Sequence, residues 1–126
     1  MLLPGTAART DLIEVVRITA RTGSGAVVGD VLEIWIEDQV RRALGLVAEL
    51  PDDELHRCFV PAYGIRAHSS TDLLFEVAFC FRCHGALLLE PGVPSAVRRI
   101  QGFDPDSVPG RELLGLFRAC AGTVDG

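Results

Sequence analysis

The clearest pattern in the chain runs from Leu73 to Arg82, where Leu73, Phe75, Val77, Phe79 and Phe81 alternate with Leu74, Glu76, Ala78, Cys80 and Arg82. A period of two predicts a strand with one aromatic face toward a core and one mixed face. A second alternation spans Asp11 to Ala20: Ile13, Val15 and Arg17 oppose Leu12, Val16 and Ile18, and β-branched residues are frequent. Thr22-Gly23-Ser24-Gly25 then predicts a turn, with Val27-Val28 and Val31 to Ile36 returning as the second arm of a hairpin.

Between Leu32 and Leu50 two periods compete. Leu32, Ile36, Val40, Ala43, Leu44, Val47 and Leu50 recur at helical spacing, and Asp30 with Glu33 has the form of a capping box. The β-rich run Val31-Leu32-Glu33-Ile34-Trp35-Ile36 favours a strand there, with a helix from about Glu37 to Leu50 that opens on acidic residues and stops at Pro51.

Cys58 to His68 reads as a further strand, and Pro61 and Gly64 within it predict an edge or a bulge. Ser69 to Asp72 supplies the turn into the Leu73 strand, and His84-Gly85 turns that strand into Ala86 to Glu90. Pro91-Gly92-Val93-Pro94 breaks the pattern, and Ala96 to Phe103 adds a short edge strand. Ser107 and Pro109 open a last helix with Leu113, Leu114, Leu116 and Phe117 on its apolar face. The expected fold is one α+β domain over residues 1–126, an antiparallel sheet of four to five strands with two helices packed on one face. Residues 1–10 are expected to be loosely ordered.

Composition narrows the function classes. A chain of 126 residues buries roughly two thirds of its unfolded surface, so it needs no staples to hold a core. No apolar run reaches the length of a membrane span, and the start Met1-Leu2-Leu3-Pro4-Gly5 lacks the basic and apolar regions of a leader, which predicts a cytoplasmic protein. The net charge of −5 gives no attraction for phosphate backbones, and the twelve basic residues, all arginine, are dispersed apart from Arg41-Arg42 and Arg98-Arg99. Neither a nucleic-acid nor a membrane partner is expected; another protein is.

The candidate chemistry lies at Cys80-Phe81-Arg82-Cys83-His84-Gly85. Two thiols at this spacing can pack as small apolar side chains, grip zinc, cycle between dithiol and disulfide or, with the following histidine, hold haem. For zinc, Cys80 and Cys83 need two more ligands. Cys58 is the third, because the Ser69–Asp72 turn lays its strand beside the Leu73 strand, and His56 is the fourth, two residues before it on the same face. A redox pair is normally activated at a helix N-terminus, for which Gly85 and Pro91-Gly92 leave little room; Arg82 and His84 are then the groups that would stabilise a thiolate. Haem attachment is disfavoured because it belongs outside the cytoplasm and the only methionine is Met1. Cys120 is assigned to packing in the last helix.

Other motifs carry less. Gly23-Ser24-Gly25-Ala26-Val27-Val28-Gly29 has the look of a dinucleotide loop, but a strand follows it where a phosphate site needs a helix. No Gly-x-Ser-x-Gly elbow accompanies Ser69-Ser70, so no triad is assigned. Asp52-Asp53-Glu54 and Asp104-Pro105-Asp106 read as turn and capping groups, and Trp35 and Tyr63 as core or rim residues.

Cys58-Phe59-Val60-Pro61-Ala62-Tyr63-Gly64, followed by Cys80-Phe81-Arg82-Cys83, resembles small uncharacterised bacterial proteins with a Cys-x-x-Pro-x-x-Gly segment and then a strand ending Cys-aromatic-x-Cys. The resemblance covers about the second half of the chain and implies that Cys58, Cys80 and Cys83 act as one group. It implies no activity. The expectation is therefore a non-enzymatic domain with a structural or zinc-binding cysteine cluster and a protein-interaction role. A thiol redox protein using Cys80 and Cys83 is the first alternative, and an inhibitor or immunity-type partner of a basic target is the second.

Overall fold

A computed structural model describes residues 1–21, 27–56, 60–93 and 100–122. The strands are β1 Leu12–Arg21, β2 Val27–Ile36, β3 Tyr63–His68, β4 Leu73–Cys80, β5 Gly85–Leu89 and β6 Ile100–Gly102, with helices α1 Asp38–Glu49 and α2 Val108–Cys120. They form one open antiparallel sheet in the order β2-β1-β3-β4-β5-β6. The α+β class and the two helices agree with the sequence, but the sheet has six strands where four to five were expected. The two short arms, β5 and β6, fall on the Ala86 to Glu90 and Ala96 to Phe103 runs that the sequence itself marks as strands, so the expected total falls short, not the pattern.

Alternation decides the faces. Ile13, Val15, Ile65, Phe75, Val77 and Phe79 lie on the helix side and form one buried cluster with Val40, Ala43 and Val47 of α1 and Leu113 and Phe117 of α2. Phe117 is the hub of that cluster, its ring 5.2 Å from Tyr63, 5.6 Å from Phe79, 5.9 Å from Trp35 and 6.0 Å from Phe81. Such ring pairs add to the burial of large apolar area.

The competition between Leu32 and Leu50 resolves in favour of the strand up to Ile36. Trp35 pairs with Ile13 in the ladder and is buried under α2, a contact that only an extended backbone supplies. The chain then turns at Glu37, whose φ of 54° is left-handed, and the Gln39 side chain accepts from the Ile36 amide in place of a capping box. Ser107 caps α2 as expected, its hydroxyl accepting from the Gly110 amide at 3.2 Å.

Pro61 does not mark an edge. It precedes β3, which lies between β1 and β4 and begins only at Tyr63, so no ladder donor is lost at the proline. Cys58, the start expected for that strand, lies outside the described residues, as do the Thr22–Gly25 turn and residues 96–99 of the last expected strand.

Residues 1–9 are tied to the body. The Met1 amino group donates to the Leu50 carbonyl at 2.6 Å, Leu2 and Gln101 exchange two hydrogen bonds, and Gly5–Arg9 forms a 3-10 turn whose Ala7 packs on the core.

Candidate functional site at the Cys80–Cys83 hairpin

β4 and β5 form a hairpin whose last ladder pair is Cys80 and Gly85, leaving Phe81 to His84 as the loop. Four residues bring the two cysteines to a Cα separation of 5.2 Å, within disulfide reach, and they are bonded. Both are buried, Cys80 at 2% and Cys83 at 6% exposure. The Cys83 amide donates to Cys80 Sγ at 3.2 Å, so the turn closes on the sulfur even apart from the covalent bond. Phe81, between them, points into the core against Phe103 at 5.5 Å and Phe117. The hairpin tip is thereby anchored from inside.

The tip in turn holds the segment after α1. The His56 amide donates to the Cys83 carbonyl at 2.8 Å, and the Val60 amide donates to Cys83 Sγ at 3.5 Å. His84 adopts a left-handed φ of 55°, which lets its carbonyl accept from the Phe103 amide at 2.9 Å while its ring turns back over the segment. There the rings of His84 and His56 stack with centroids 3.9 Å apart, and His84 Nδ1 donates to Asp53 Oδ2 at 2.9 Å. That bond holds the Asp53 carboxyl below its ordinary 3.8, helped by the Glu54 amide. Gly102 of β6 closes the arrangement: a Cβ there would stand 1.9 Å from the Asp53 carbonyl oxygen, so only glycine admits this approach.

Of the four residues expected to bind zinc, the structure joins Cys80 to Cys83 and brings the His56 backbone to the Cys83 carbonyl, and Cys58 lies outside the described residues. In the bonded pair neither sulfur is a thiolate, and zinc needs thiolates, so a metal site on this set would belong to the reduced protein. His56 faces the His84 ring, not an open coordination position. Among the described residues no three His, Cys, Asp or Glu side chains group as a metal site requires. Nor does the tip offer the helix N-terminus of a redox dithiol, since β5 follows it directly.

Two features have no local signal of contact in the sequence. Asp53 sits in a run with the composition of a turn, and only the fold brings it to His84, thirty-one positions away. The second lies on the sheet face away from the helices, where Glu14, Arg66 and Glu76 stand side by side on β1, β3 and β4. Arg66 Nε is 3.3 Å from Glu76 Oε1, Arg66 also reaches Glu14 at 3.9 Å, and His68 Nε2 bonds Glu14 Oε1 at 2.6 Å. The signal was present as one charged residue in the polar phase of each strand, but it becomes a cluster only once register is known.

Cys120 packs at the end of α2 as expected. Burial first, then the neighbouring Glu33 charge and its hydrogen bond, push its thiol up to about 11. No described helix is long and apolar enough to cross a membrane. No family model, curated protein or solved structure matches the chain.

Proposed function

We propose that this chain is a non-enzymatic protein-binding domain whose Cys80–Cys83 pair is a structural staple. One observation carries the cysteine part of this reading: both sulfurs are buried in a turn that clips the His56 segment to the sheet, with neither presented as an attacking group. A catalytic thiol needs thiolate character and access, and this pair has little of the second. The acidic balance of the chain and the lack, among the described residues, of a nucleophile–base pair at the tip support a binding role over catalysis.

The covalent bond itself favours one second reading, a thiol redox protein. Reduction of the Cys80–Cys83 bond by an external dithiol would take up two electrons and two protons and leave the reductant as a disulfide. The test is the rate at which the protein, in catalytic amount, accelerates reduction of a small disulfide by dithiothreitol. Equal rates for the native chain and the Cys80→Ala/Cys83→Ala variant, with partner capture from source-cell extract retained by both, are expected. Acceleration that the variant loses would overturn the staple reading in favour of the redox one.

A further inference from the structure

The two edges of the sheet are unequal. β6, at Ile100–Gly102, ends one side, whereas β2 ends the other with ten residues and, among the described residues, pairs only with β1. Natural sheets blunt such an edge by keeping it short or by placing lysine or proline on it; β2 is ten residues long and has neither residue. Instead β2 exposes Val31 at 46%, Ile34 at 51% and Ile36 at 48%. Asp30 and Glu33 are its only charges.

We propose that β2 pairs antiparallel with β2 of a second copy of this chain, joining two sheets into one continuous sheet. Register argues for a second copy over an unrelated strand. A two-fold axis between Leu32 and Glu33 sets Val31 opposite Ile34 of the second copy, and the symmetry repeats the pair, so two apolar contacts form on the face away from the helices. Asp30 then meets Trp35, and Glu33 meets Leu32. No like charges face each other.

Neighbouring registers are worse. An axis through Leu32 opposes Ile34 to Asp30, an axis through Glu33 opposes that residue to itself, and an axis between Val31 and Leu32 opposes Asp30 to Glu33. The bulge supports the same choice. Leu32 is the extra residue where β2 shifts against β1, so the inside and outside phases exchange at that point. An axis beside Leu32 meets the exchange in both copies at once, which keeps Val31 with Ile34 on the outer face and Asp30 with Trp35 on the helix side.

The proposal rests on the interaction reading only in naming one partner. The cysteine hairpin lies on the far side of β1 and β3, and its role is read by separate thiol experiments. The test is the solution mass of the full chain by light scattering and sedimentation across the micromolar range. The native protein is expected to rise to twice the 13.6 kDa chain mass with concentration. Ile34→Lys, at a half-exposed position, is expected to stay at one chain mass and to unfold like the native protein at the dilute end of the range, where that too is a single chain, and Val31→Arg to do the same. A native protein that keeps one chain mass throughout overturns the proposal, and so does a dimer that both folded variants preserve.

Discussion

Reducing the Cys80–Cys83 bond perturbs one turn and nothing else in the chain's covalent structure, which makes the cost calculable. The pair closes a loop of four residues, counting both cysteines. Ring closure of that size removes about 6 cal/mol/K from the unfolded chain, or about 2 kcal/mol at 25 °C. The native side offsets little, because the Cys83 amide still bonds Cys80 Sγ and Phe81 still anchors the tip. With an unfolding entropy of about 2.1 cal/mol/K per residue over 126 residues, the loss corresponds to a midpoint about 7 °C lower. The assay is thermal and urea unfolding with and without a phosphine reductant, with Cys80→Ser/Cys83→Ser as the reductant-insensitive control. An unchanged midpoint would refute the entropic reasoning. A loss above about 4 kcal/mol would refute it in the other direction, by showing that the bond supports far more than its own turn.

Other perturbations have defined outcomes. Phe117→Ala removes the ring at the centre of the aromatic cluster and is expected to cost about 3–5 kcal/mol in urea unfolding, the range for a large buried side chain. Gly102→Ala drives a methyl into the Asp53 carbonyl; a loss of about 1–3 kcal/mol is expected, and His56 and His84 ring signals should shift in NMR spectra as the segment lifts. Because Asp53 titrates below 3.8 in the fold, its contribution is complete above that value and lost as pH falls through the lower folded one, so Asp53→Asn should flatten the acid limb of stability against pH. Cys120 is expected to be the slow thiol in alkylation against pH, with a midpoint near 11 that falls in Glu33→Gln.

Local pattern carried most of the fold. Phe75, Val77 and Phe79 announced β4 because alternation is a property of neighbours, and Ser107 with Pro109 announced the start of α2 for the same reason. Pro61 misled because a proline says where a ladder donor is missing, not where the strand lies in the sheet, and β3 starts after it. At the hairpin, the spacing of Cys80 and Cys83 revealed the site, since a loop of four residues must bring them together. The Asp53–His84 bond and the Glu14–Arg66–Glu76 row were hidden, because they depend on long-range register that no local period encodes.

The staple account stands most directly on the oxidation state of one pair of sulfurs. Intact mass after alkylation in denaturant, with and without prior reduction, together with elemental analysis of the same sample, reads that state. The account predicts that the unreduced chain takes up two fewer alkyl groups than the reduced one, that peptide mapping places the missing pair at Cys80 and Cys83, and that no metal accompanies the protein. Equal alkylation of both samples with about one zinc per chain would contradict it and make these cysteines metal ligands.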